Sequence, residues 1–308
     1  MGGLMLYERR VLADLWYIEL QASSELRCIP IAASARKPNA RVEHSCALCL
    51  WGGNAKIEET DTLNHLYMMN RGERLSSLAF FGVSPPPGRY GHSLTLVGSF
   101  LVIFGGQIEG YSRNETALFD LELLQWVQPK PSDDERSAPP PRTNHSTVVW
   151  NTKMHIFGGT DGYTWYNDMW SYEPVTNRWE HIPTDTRYWR KPTRREGHAA
   201  AVGGNKMCVF GGRSEMGEDL KDFWICDMAE RRWRDSLQNM EGLPSPRSGH
   251  SMVIIGKHIV VMGGEPSSRK HANREELALG YVLDTTKFQT PQTSLRLSYP
   301  APLKKQLW

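Results

Sequence analysis

Five Arg-x-x-His pairs and one Cys-x-x-Cys are the residues of this chain whose types and spacing could do chemistry. Cys46 and Cys49 have the spacing of a zinc-ligand pair or a redox dithiol. Zinc needs further ligands, and neither a second Cys-x-x-Cys nor a His pair at ligand spacing follows. Alternation along one strand would also aim the two side chains at opposite faces, so the pair reads as core. The histidine pairs are Arg41/His44, Arg89/His92, Arg142/His145, Arg195/His198 and Arg247/His250. A catalytic site needs one constellation, whereas these recur. They read as packing and hydrogen bonding between repeated units, and no metal or cofactor is expected.

The elements that position them form a repeat, which must be recognised before single strands are read. Double glycines stand at Gly2-Gly3, Gly52-Gly53, Gly105-Gly106, Gly158-Gly159, Gly211-Gly212 and Gly263-Gly264, in steps of 50, 53, 53, 53 and 52 residues. In the last four units His92, His145, His198 and His250 each precede the first glycine by 13 residues. A short apolar run follows each of these histidines. Then come a turn former (Gly98, Asn151, Gly204 or Gly256) and a second apolar run ending at the doublet. Two runs joined at Gly or Asn make a β-hairpin. A third strand follows, such as Asp168-Met169-Trp170-Ser171-Tyr172. A fourth carries Trp126, Trp179 or Trp233, seven residues after Phe119, Tyr172 or Cys226. Four strands at a period near fifty define a propeller blade. The fold expected is all-β, a six-bladed propeller over residues 1–288, with a disordered tail over 289–308.

Residues 88–288 read as regular blades and 1–87 as irregular ones. The chain opens at Gly2-Gly3, so blade one is expected to lack its first two strands. His44 precedes Gly52 by only 8 residues, which makes Ser45–Trp51 look too short for strand, turn and strand. The fourth-strand tryptophan of blade two is replaced by Ser76. An altered or truncated chain is one expectation from these gaps.

Composition narrows the partners. Lys+Arg 36 against Asp+Glu 34 leaves a net charge of +2, which disfavours a nucleic-acid or anionic-membrane surface. The basic cluster Arg187, Arg190, Lys191, Arg194 and Arg195 reads as solvated loop. An odd set of five cysteines (Cys28, Cys46, Cys49, Cys208, Cys226) fits reduced thiols of an intracellular protein. MGGLMLYERR lacks the pattern of a signal peptide, and no apolar stretch is long enough to span a membrane. A cytoplasmic protein without membrane insertion is expected.

The stretches GRYGHSLTLVGS, PRTNHSTVVWNTKMHIFGGTDGYTWYNDMW, REGHAAAVGGNKMCVFGGR and PSPRSGHSMVIIGKHIVVMGGEPSS resemble the fungal kelch-repeat cell-end-marker proteins, the tip-elongation and cell-fusion kelch proteins. The resemblance implies a kelch-type propeller that binds polarity or cytoskeletal factors at the cell cortex or cell tips. It brings no catalytic residues. Family members continue into coiled coils, whereas the residues after Asp284 show no heptads, so no coiled-coil self-assembly is expected of this chain.

In such a blade the second-to-third and blade-to-blade connections share one side, and function concentrates on long loops. Tyr163, Trp165 and Tyr166 in one such loop, and Tyr111 in the matching loop before it, are the candidate partner-binding residues. Trp165 reads equally well as packing on the neighbouring blade. The charged loop Ser267–His271 reads as solvated rim. Two other functions fit a kelch propeller: substrate recognition for a ubiquitin ligase, and a copper-type oxidase. The first lacks its usual helical adaptor segment here. The second needs convergent Tyr, His and Cys ligands that stand outside the repeat positions, and none are found.

Overall fold

Phe100–Phe104 is apolar at every position, and four of its five side chains are buried. A strand apolar on both faces must lie between two layers. It sits second in a four-stranded antiparallel sheet, between Ser93–Val97 and Thr116–Asp120, with Gln125–Val127 at the far edge. The structure, a computed structural model, describes residues 84–127, 138–184, 191–235, 244–265 and 280–285, and before residue 78 only short strands. Within this range every named element is a strand.

The same sheet recurs in blade four as Ser146–Trp150, Lys153–Phe157, Met169–Glu173 and Arg178–Ile182. Blade five repeats it as Ala199–Gly203, Lys206–Phe210, Phe223–Asp227 and Arg232–Asp235. Blade six shows three strands among the described residues, Ser248–Ile255, His258–Glu265 and Gly280–Asp284. First strands of successive blades lie against one another, so they converge and the fourth strands form the outer edge. The first-to-second turns need positive φ. Asn151 and Thr152 take +48° and +62°, the pattern of a primed hairpin turn.

Blades pack face to face. Val97, Val102, Phe104 and Leu118 of blade three interlock with Met154, Ile156 and Tyr172 of blade four. Blade four meets blade five through Val148 and Phe157 against Met207, Val209, Trp224 and Trp233. Blade five meets blade six through Phe210 and Phe223 against Ile259, Val261 and Tyr281. The fourth-strand tryptophans pair with the residues seven before them: Phe119 with Trp126, Tyr172 with Trp179, Cys226 with Trp233. Each later one also reaches back a blade. Trp179 stacks on Phe104 at 4.6 Å and Trp233 on Phe157 at 4.9 Å.

Blade two corrects one expectation. Ser45–Cys46 and Cys49–Trp51 pair antiparallel, in one sheet with Tyr67–Met69 and Leu75–Ser77. Strands of two and three residues fit in a span where five-residue strands would not. Cys46 and Cys49 therefore stand on adjacent strands, not along one, so strand alternation does not set their directions. Ser76 lies in the fourth strand, opposite Met68. Blade one contributes Leu15–Leu20 paired with Leu26–Ile31, and a ribbon of Gly3–Met5 with Arg10–Leu12. The tail over 289–308 and the loop Ser267–His271 lie outside the described residues.

Candidate functional site

The loop face is held in place by buried arginines. Arg142 is fully buried. It donates to the carbonyl of Gly158 at 2.9 Å and makes a two-pronged pair with Asp168 at 2.8 and 3.0 Å. Arg195 repeats this on Gly211 and Asp222, and Arg89 on Gly105 and Glu115. Arg247 donates to Gly263 O and lies over the Tyr281 ring. Burial works against charge on Asp168, but the hydrogen bonds and charge of Arg142 outweigh it and hold the carboxyl below its usual range. Arg195 is thus a buried spoke and not part of a solvated basic loop, whereas its neighbours Lys191 and Arg194 are exposed.

The histidines join successive blades. His145 Nε2 lies 2.9 Å from Ser93 Oγ, and His198 Nε2 lies 2.8 Å from Ser146 Oγ, each one blade back. Ala199 stands where blade five would place that serine, and His250 bonds to the Phe210 carbonyl instead. Burial, and then the charge of Arg142, pushes His145 down to about 3; burial and Arg247 push His250 down to about 4. His92 is buried as well. The doublets fit between these parts. A Cβ on Gly105 would meet Arg142 O at 2.5 Å, and one on Gly106 would meet the Cβ of His92 at 2.7 Å. Cys208 and Cys226 are buried free thiols pushed up to about 12 by burial, so they are inert. Among the described residues no group of three His, Cys, Asp or Glu could hold a metal ion.

Above this frame stand the second-to-third-strand loops. In blade four Asp161 organises the loop: its Oδ1 accepts the N–H groups of Tyr163 and Thr164, and its Oδ2 accepts the Tyr166 hydroxyl. Burial, with that hydrogen bond, pushes the Tyr166 phenol up to about 12. Arg142 lies 4.3 Å over its ring. Trp165 is half-buried and donates its indole N–H to Glu196 of the next blade at 3.1 Å. These two aromatics are tied into the scaffold. Tyr163, by contrast, is 94% exposed and Tyr111 71% exposed.

A third residue belongs with them. Met216, in the matching loop of blade five, is 81% exposed. It was not singled out from the sequence, although it follows Gly211 by the same five residues that separate Tyr163 from Gly158. Ser214 Oγ accepts its N–H, and Ser112 Oγ of the blade-three loop donates to the Asp161 carbonyl of the blade-four loop. Three successive blades thus each raise one large apolar side chain from a braced loop on the same side.

Radial four-stranded blades, glycine doublets and buried Arg-x-x-His spokes define a kelch-type β-propeller. The chain belongs to the KLHDC2/KLHL20/DRC7 Kelch-repeats domain family, whose model matches residues 1–138 and 46–264. It is 32% identical over 294 residues to Tip elongation aberrant protein 1 of Schizosaccharomyces pombe, covering 92% of this chain and 25% of that protein. It is 28% identical to Kelch repeat-containing protein 2 of Saccharomyces cerevisiae, covering 90% and 32%. To the F-box/kelch-repeat protein At1g51550 of Arabidopsis thaliana it is 30% identical, covering 60% and 42%. The chain therefore spans a quarter to two fifths of the length of these relatives.

Proposed function

We propose that this chain is a non-catalytic protein-interaction scaffold that acts in cell polarity, marking growth sites at the cell cortex. The observation that carries the binding reading is the row Tyr111, Tyr163 and Met216, exposed on the loops of three adjacent blades. Large apolar side chains on rigid, braced loops are the anchors protein interfaces use, since their burial releases water at little ordering cost. The polarity reading rests on the similarity to a protein named for tip elongation. Sealed histidines and inert thiols support binding without catalysis. Its partners are then cortical polarity or cytoskeletal factors, met from the cytoplasm without membrane insertion. No helix among the described residues is long and apolar enough to cross a membrane.

The test is a fluorescently tagged chain in growing polarised cells, compared with a variant carrying Tyr111→Ser, Tyr163→Ser and Met216→Ser. The tagged chain should concentrate at growing ends, and the variant should disperse with an unchanged melting curve. Uniform distribution of the unaltered chain would remove the polarity reading, and equal concentration of the variant would remove the loop row.

A further inference from the structure

The basic run Lys191-Pro192-Thr193-Arg194-Arg195 divides once the fold places it. Arg195 is the buried spoke, committed to Asp222 and the Gly211 carbonyl. Lys191, Thr193 and Arg194 are exposed on the connection into blade five, and residues 191–193 belong to no strand or turn. The stretch is tied down through its backbone. Asn167 Nδ2 donates to the Pro192 carbonyl at 2.9 Å, and Arg195 Nε to that of Thr193 at 3.1 Å.

Two residues before the spoke, blades three and four have proline, Pro87 and Pro140, whose carbonyls accept from the spoke Nε in the same way. Thr193 and Ser245 bring a hydroxyl to that position. Each accepts from Nη2 of its own arginine, at 3.2 and 2.9 Å. The geometry of the two is alike, but the charge is not. Lys191 stands two residues before Thr193 and Arg194 directly after it, whereas Ser245 lies between Pro244 and Pro246.

A hydroxyl on an exposed, irregular segment with cations on both sides fits the acidic substrate groove of a kinase that selects basic sequences. We propose that Thr193 is a phosphorylation site for a serine/threonine kinase of that kind, and that its phosphate loosens the loop carrying Met216. Thr193 Oγ attacks the γ-phosphorus of a nucleoside triphosphate, the bond to the β-bridging oxygen breaks, and the nucleoside diphosphate leaves. The hydroxyl proton passes to a carboxylate of the kinase.

The link to Met216 runs through Arg194. Its Nη1 lies 3.7 Å from Glu215 Oε2, and the two side chains are 55% and 48% exposed, so the pair is weak. A phosphate carries a charge of about −1.5 to −2 and holds arginine more strongly than that carboxylate does. Placed on the residue beside Arg194, it draws the guanidinium off Glu215 and faces Glu215 with a like charge. Glu215 precedes Met216 in a turn held by Ser214. The Ser214 Oγ accepts the N–H groups of Met216 and Glu218, and its carbonyl accepts that of Gly217. The consequence for partner binding rests on the loop row being the contact surface, whereas the site and the loosening are both read without a partner.

The experiment incubates the full chain with a basic-selective serine/threonine kinase, magnesium and labelled ATP, maps the phosphate by mass spectrometry, and then follows hydrogen exchange. Thr193 should be labelled and Ser245 should not. Lys191→Glu should cut the label on Thr193 by about tenfold or more with an unchanged melting curve. Exchange across Ser214–Glu218 should quicken by about threefold or more in the phosphorylated chain. A Thr193→Val chain treated alike should keep its rate. Absence of label on Thr193, or label gained only after heat denaturation, would overturn the site. Labelling indifferent to Lys191→Glu would overturn recognition by charge, and unchanged exchange would overturn the coupling to Met216. Where label and faster exchange both appear, the proposal stands, and unaltered growth-site localisation would then count against the loop row alone.

Discussion

His198 Nε2 lies 2.8 Å from Ser146 Oγ, 52 residues back in the chain and one blade away. The contact joins two inner strands at a place where both groups are buried. A buried polar atom without a partner costs about 1–3 kcal/mol, so each blade specifies the seating of the next. Ala199 shows that the serine can be replaced when a carbonyl, here that of Phe210, takes its role.

Acid should therefore weaken the fold through histidine. His145 is held down to about 3 and His250 to about 4, with burial the main cause in each, and His198 is pushed down likewise. In the unfolded chain these rings protonate near 6.5. Below that value the unfolded state binds more protons, so stability falls as pH falls from about 6.5 towards about 4. At pH 5 His145 and His250 should each cost roughly 2 kcal/mol relative to pH 8, and His198 acts in the same direction. Urea unfolding at both pH values measures it, and a flat profile would contradict buried neutral rings.

Arg142→Met should be among the most damaging single changes. It leaves Asp168 and the Gly158 carbonyl without their cation, and breaking such a pair costs roughly 3–5 kcal/mol. Arg194→Ala removes an exposed pair with Glu215 at 3.7 Å and should stay within about 0.5 kcal/mol. Denaturant midpoints for the two variants compare them directly.

Glycine substitution should divide by position. Gly158→Ala places a Cβ 2.7 Å from His198 Cε1 and 2.9 Å from Arg195 O, at φ +64°. Gly162→Ala, at φ +98°, meets nothing within 4 Å. Both carry backbone strain of roughly 1–3 kcal/mol, but only the first also forces two blades apart. Gly158→Ala should lower the melting temperature by far more, and equal shifts would show that the doublet serves the turn alone.

The repeat was legible because its markers are local: doublets, turn formers and histidines at fixed offsets, each with one conformational reason. That was enough for the blade, for its four strands and for the tryptophan partners Phe119, Tyr172 and Cys226. The span Ser45–Trp51 reads as too short only if the regular step is a minimum, whereas strands of two and three residues pair within it. Met216 stands at the same offset from its doublet as Tyr163, but a methionine in a charged loop becomes notable only once both are seen exposed on matching loops. The partner of Trp165, Glu196, lies 31 residues away on the next blade, and no periodicity points to it.

Trp165 and Tyr163 are two residues apart and should behave oppositely. Trp165 is half-buried, and its indole N–H reaches Glu196, whose other oxygen accepts from Asn144. Trp165→Ala removes that link and a half-buried ring, and should lower stability by roughly 2–4 kcal/mol. Tyr163 contributes only its backbone N–H to the Asp161 turn, a bond that serine keeps. Tyr163→Ser should leave the melting temperature within about 1 °C while weakening partner binding by about tenfold or more, as loss of an interface aromatic does. Melting curves together with co-localisation at growth sites separate the two residues. A drop in stability for Tyr163→Ser would move it into the scaffold. Unchanged stability for Trp165→Ala would show that the Glu196 contact holds nothing together, and would return Trp165 to the binding surface.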